Sequence, residues 1–145
     1  MLHEQGHEQA RNELLARAIA ATHQMDNVRL LKGSVLPWVA YLRLMSGNVN
    51  GCLQALLQAW ALQPEVDDPS CTVVVAALLI DVLRRMDRLH GLDAIANRGF
   101  DAMIRGGLTH TWMAGCLRRN VAAALIDLGR LGDAAAVLDP LPSAS

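Results

Sequence analysis

The stretch GGLTHTWMAGCLRRNVAAALIDLGRLGDAAAVL, Gly106–Leu138, decides the fold. Two glycines end whatever precedes them. Thr109 brings a side-chain oxygen suited to capping a helix, and from His110 to Leu128 apolar residues recur every three or four positions. Gly129 then offers a backbone position that tolerates left-handed geometry, where a helix can end and the chain reverse. Leu131–Leu138 resumes the helical pattern until Asp139-Pro140-Leu141-Pro142 stops it. The stretch predicts a helical hairpin: a long first helix, a tight turn and a short second helix.

Working outward, the same turn recurs. Gly6, Gly47, Arg88 and Gly129 are evenly spaced along the chain, and Leu15, Leu56, Asn97 and Leu138 follow them at one common offset. The third unit is degenerate, and a start at Asp87 fits it about as well as Arg88. A period of this length, about 41 residues, indicates stacked helix pairs. The expected helices are Glu8–His23, Ser34–Met45, Asn50–Leu62, Cys71–Met86, Leu89–Ile104, His110–Leu128 and Leu131–Leu138. Val28–Leu31 could add a turn to the second. Pro64 is expected to lie beyond the third, and Asp68 or Ser70 to cap the fourth. Gly6 is expected in a turn before the first helix. The expectation is therefore an all-α fold: a right-handed, tetratricopeptide-like stack of antiparallel helix pairs, about seven helices, forming one domain over 1–142 with a polar tail at 143–145.

Composition narrows the function. Apolar residues are 52% of the chain and charged residues 19%, which excludes a disordered polyelectrolyte. The net charge of −1, with both signs interspersed, argues against gripping a phosphate backbone. Cys52, Cys71 and Cys116 lack metal-ligand spacing and read as reduced, buried residues, which suits the cytoplasm. The polar N-terminus has no signal-peptide core, and the apolar run Val73–Ile80 is too short to span a bilayer.

Four constellations could carry chemistry. His3-Glu4-Gln5-Gly6-His7 matches H-E-x-x-H, which on a helix sets two imidazoles and a general base around zinc. With Gly6 in a turn the segment reads as a frayed terminus, so neither metal nor cofactor is expected; a small zinc-dependent hydrolase is the alternative reading. Arg84-Arg85 with Arg88, and Arg118-Arg119, lie late in successive first helices; they read as a solvated face with Asp81, Asp87 and Asp127 nearby, and Arg84, Arg85, Arg118 and Arg119 are candidates for a charged groove. Trp38, Tyr41 and Trp60 flank Gly47; core packing is the first reading, with Trp38 and Tyr41 as candidate groove residues. His110 sits beside Trp112, read as a core residue. Asn120 falls among apolar residues and is expected to bond a loop backbone. Gly47 and Gly129 are expected to be structural.

Gly107-Leu108, Asn120, Ala123–Leu125, Leu128-Gly129-Arg130, Leu131 and Asp133-Ala134 together resemble the C-terminal part of the helical-repeat sensor region of large LuxR-type (MalT-like) bacterial transcriptional regulators. Arg98-Gly99-Phe100 is similar to a segment of the preceding helix in that family. Asn50–Pro64 is similar to a tetratricopeptide second helix. The resemblance implies a non-enzymatic binding module that senses a small effector or a protein partner. It also implies a detached or truncated segment, since no GxxxxGK[ST] loop and no helix-turn-helix follow from the sequence. Neither direct nucleic-acid binding nor membrane association is expected. Apolar stripes at both ends, Leu14, Leu15, Ala18 and Ile19 at one and Ala134, Ala135, Val137 and Leu138 at the other, predict a homodimer.

Overall fold

A computed structural model describes the backbone of residues 2–24 and 29–139, and the side chains of 6–20 and 33–139. The described residues form seven α-helices and no strand: α1 Leu2–Gln24, α2 Arg29–Met45, α3 Val49–Val66, α4 Pro69–Arg85, α5 Leu92–Arg105, α6 Trp112–Asp127 and α7 Leu131–Leu138. The fold is all-α, as the helical periodicity requires. The chain divides into two compact units, Met1–Cys71 and Thr72–Ser145, with the division in the first turn of α4.

Four helices end in the same way. After α2, the N–H of Gly47 donates to Leu44 O and that of Asn48 to Arg43 O. After α4, Asp87 donates to Arg84 O and Arg88 to Leu83 O; after α6, Gly129 donates to Ile126 O and Arg130 to Leu125 O. Gly107 and Leu108 repeat the pattern after α5. This pair of bonds, closing on a left-handed residue, satisfies carbonyls that the helix end leaves open. The left-handed residues that close these four ends are Gly47, Asp87, Gly107 and Gly129, with φ of 82°, 56°, 64° and 76°; Asp67, at φ 50°, ends α3 with a single bond to Gln63 O. The third repeat therefore turns at Asp87, not Arg88, one position ahead of strict periodicity. Asp accepts this conformation because its short polar side chain tolerates it better than most.

In the first unit α2 and α3 form an antiparallel hairpin, fixed by Arg43 donating to Gly51 O and by Gln63 reaching Gly33 O. Pro37 lies inside α2 and has no N–H, so Gly33 O loses its helical donor. Gln63 Nε2 takes that place at 3.4 Å, and Cys71 Sγ approaches the same oxygen at 3.8 Å. Gln63 is buried, and its amide also donates to Ala59 O. A Cβ on Gly33 would come within 2.5 Å of Val66 Cγ2, so only glycine admits α3 this closely. Helix α1 packs on α2, where Arg11 donates to Met45 O at 2.7 Å. The unit's buried side chains include Leu36, Val39, Ala40, Cys52, Leu56 and Ala59.

In the second unit α4 and α6 run side by side. Asn120 bonds Ala77 O, and Asp127 bonds Arg84 at an equal step further along both helices, so the two are parallel. Gly99 of α5 lies against Ala76 of α4 and Leu117 of α6. Arg130, at the start of α7, pairs with Asp93 near the start of α5. Leu79, Ile80, Val82, Leu117 and Val121 are buried here.

Several boundaries differ from the expected ones. Helix α1 begins at Leu2 and continues through Gly6, because one glycine costs only about 1 kcal/mol in a helix of Glu, Gln and Ala. Helix α2 starts at Arg29, taking in the optional turn. Pro64 lies within α3 rather than beyond it. Thr111, not Thr109, caps α6, its Oγ1 accepting from Ala114 N. Helix α5 starts at Leu92 rather than Leu89. Asp68 caps α4, its Oδ1 accepting from the N–H and hydroxyl of Ser70.

Candidate functional site

Trp38 and Tyr41 are surface residues, not core. They lie on one face of α2 with Met45 and are 69%, 45% and 50% exposed. Positions 38, 41 and 45 follow the i, i+3, i+7 rule, so they form a single apolar stripe about 10 Å long, at roughly 1.5 Å of rise per residue. The opposite face of α2 turns Leu36, Val39 and Ala40 into the core. Trp60, read with them first as a core residue, is half-buried on α3.

The turns give α2 and α6 a common register, Gly47 matching Gly129 two periods on. In that register Val39 matches Val121 and Ala40 matches Ala122, all four buried. Trp38 matches Asn120, Tyr41 matches Ala123 and Met45 matches Asp127. Asn120 and Asp127 are the two residues that join α6 to α4. The exposed stripe of α2 is thus the face that α6 uses to pack on its parallel neighbour.

The arginines separate into different roles. Arg84 is tied to Asp127 at 2.7 Å, and Arg85 to Asp81 at 3.3 Å within α4. Arg119 is exposed and touches Cys116 Sγ at 3.4 Å. Arg118 buries its Nη2 without a hydrogen-bond partner. Its register match in α2 is Leu36, which is buried, so α6 carries a guanidinium where a hydrocarbon would fit. These four and the aromatic pair therefore lie in different units, and Arg84 and Arg85 hold helices rather than stand free.

Asn120 is satisfied as expected, but its acceptor is a helix carbonyl, Ala77 O at 2.8 Å, not a loop. Trp112 is 74% exposed instead of core, and His110 beside it is exposed as well. Cys52 is buried, whereas Cys71 and Cys116 are only partly so, and none of the three is in a disulfide. Burial pushes the Cys71 thiol up from its ordinary range, with Gln63 lowering it and Asp68 raising it. Of the H-E-x-x-H residues, His3 and Glu4 have side chains outside the described residues. Among those described, no group of three His, Cys, Asp or Glu could hold a metal ion. No described helix is long and apolar enough to cross a membrane. No protein-family model, curated protein or solved structure matches the chain.

Proposed function

We propose that this chain is a non-enzymatic binding module built from repeated helical hairpins, the effector- or partner-sensing segment of a bacterial transcriptional regulator. The observation that carries the reading is the recurrence of one hairpin turn at nearly constant spacing, with parallel first helices in the second unit. Repeats of this kind expose continuous helix faces that serve as recognition surfaces. The regulator assignment rests on the likeness of Gly106–Leu138 to the LuxR-type sensor region, and a cytoplasmic site of action follows from it. The interspersed charges favour a small effector or a protein over nucleic acid. The exposed leucines of α7, Leu131 and Leu138, favour a homodimer through that end.

A thermal-shift screen of the purified chain against small metabolites, with duplex DNA titrated at low salt, tests this reading. Saturable stabilisation by one effector class, rising with its concentration as a ligand of the folded state requires, supports it. Salt-sensitive DNA binding in place of that stabilisation overturns it. One observation favours a second reading. Helix α1 runs unbroken past Gly6, so His3, Glu4 and His7 share the helical spacing of a zinc hydrolase. Stoichiometric zinc, lost in His7→Ala, would replace the binding module with that enzyme.

A further inference from the structure

Arg118 of α6 is a charge to which the fold offers no partner. The matched positions of the other first helices hold hydrocarbon, Leu36 in α2 and Ala77 in α4, both buried. Arg118 is half-buried, and its Nη2 is the one buried side-chain nitrogen or oxygen without a hydrogen-bond partner among the described residues. Arg11 and Arg43 are half-buried too, but each donates to a backbone carbonyl, Met45 O and Gly51 O. Five carboxylates of Arg118's own unit are engaged by other arginines: Asp127 by Arg84, Asp81 by Arg85, Asp101 by Arg105, and Asp93 and Asp133 by Arg130. A lysine or histidine so placed could shed its proton, whereas a guanidinium cannot. The cost of a buried, unpaired charge therefore persists until an acceptor arrives from outside. Arg119 adds to that charge. Positions 118 and 119 stand three and four residues beyond Gly115, so both lie on the helix face where that glycine leaves the backbone bare. Arg119 Nη1 is 3.8 Å from the point a Cβ on Gly115 would occupy, and its Nη2 rests on Cys116 Sγ rather than on a carboxylate.

We propose that Arg118, with Arg119 beside it, is the recognition point for a small oxyanion, a carboxylate or phosphate group carried by the effector. The inference rests on the binding-module reading and gives the effector its chemistry. A guanidinium presents parallel N–H donors that match two oxygens of such a group, and a charge-assisted bond would satisfy the orphaned Nη2. The site also accounts for an arginine at a position that elsewhere in the repeat is filled by hydrocarbon. A residue that lowers the stability of the free fold is what a binding group looks like before its ligand arrives. Two adjacent arginines in a chain of net charge −1 suit an isolated anionic group, not a polyanion, which needs an extended basic surface.

The test is thermal unfolding of the full chain, with sodium phosphate or sodium acetate titrated while sodium chloride holds the ionic strength constant. The midpoint is expected to rise saturably, by about 3 °C near saturation, as a ligand of the folded state requires. A rise with phosphate alone makes the group a phosphoryl, a rise with acetate alone makes it a carboxylate, and either supports the site. Arg118→Leu, which installs the residue of the matched position in α2, should raise the midpoint in chloride alone and abolish the anion-dependent rise. Arg118→Lys keeps the charge without the planar fork and should need a severalfold higher anion concentration for the same rise. Arg88→Gln, at an exposed arginine of the turn after α4, should respond as the parent does. No saturable rise with either anion, or a rise that survives in Arg118→Leu, overturns the site. So does a lower midpoint for Arg118→Leu in chloride, which would mean that the chain itself supplies the partner. A neutral effector that stabilises parent and Arg118→Leu alike would keep the binding module and remove the oxyanion site. An Arg118-dependent anion response with no effector found in the metabolite screen would leave the site standing without the module.

Discussion

Helices α3 and α7 begin from the same turn and meet opposite fates. Each follows a left-handed glycine, Gly47 or Gly129, closed by the same pair of backbone bonds. Each then runs in the same register, so Leu56 of α3 matches Leu138 of α7. Helix α3 has 18 residues and buries eight of them; α7 has eight and buries only Ala134. Leu56 is fully buried while Leu138 is half-exposed. Asn48 caps α3 with its side chain, whereas Arg130 has no capping bond and pairs instead with Asp93 and Asp133. The difference teaches that a turn is written in the few residues that make it, while burial is decided by what stands across from the helix it launches.

The comparison breaks most directly at the matched leucines. Leu56→Ala should cost about 2–5 kcal/mol by urea unfolding, the usual range for a buried leucine, and Leu138→Ala within about 0.5 kcal/mol. Equal losses would mean that α7 is covered in solution. The turns supply a second test. Nothing surrounds a Cβ at Gly47 or Gly129, so an alanine at either meets only backbone strain. Both substitutions should cost about 1–2 kcal/mol, and Asp87→Gly should recover part of the same strain. Unequal losses at the two glycines would show that the turns are not equivalent. The caps give the smallest effect. Asn48→Ala should cost about 1 kcal/mol, seen as a lower urea midpoint. Arg130→Ala should lose less, and only in low salt, because its ion pairs are on the surface.

The all-α class and the rhythm of hairpins were legible because both are local. Helical periodicity marked the elements, and glycine marked three of the five left-handed ends. The other two are aspartates: Asp67 ends α3, and Asp87 ends α4, where neither composition nor spacing separated it from Arg88. Helix starts were less legible than ends. Thr109 and Thr111 are equally good caps on paper, and the choice lies with Leu108, whose N–H closes on Met103 O and whose O accepts from the N–H and hydroxyl of Thr111. Pro64 misled, lying within α3 rather than beyond it. Pro37 sits inside α2, where Gln63, far along the following helix, supplies the missing donor. Least legible of all was exposure. Trp38 and Trp112 read as core residues because tryptophan is apolar, and only the arrangement of neighbouring helices shows both at the surface. The aromatic part of the candidate site was therefore named for its residues but not for its role.

The cap at the start of α3 also governs how the chain ages. Asn50-Gly51 is the dipeptide most prone to spontaneous deamidation, in which the glycine nitrogen attacks the asparagine side chain, closes a ring and leaves aspartate or isoaspartate. Here that nitrogen is held. Gly51 is buried in the first turn of α3, and its N–H points to Asn48 Oδ1 at 2.9 Å. A folded molecule withholds the attacking atom, and an unfolded one releases it. The extent of isoaspartate at position 50 is then a cumulative clock of time spent unfolded, written into the covalent structure and readable by mass long after the chain has refolded.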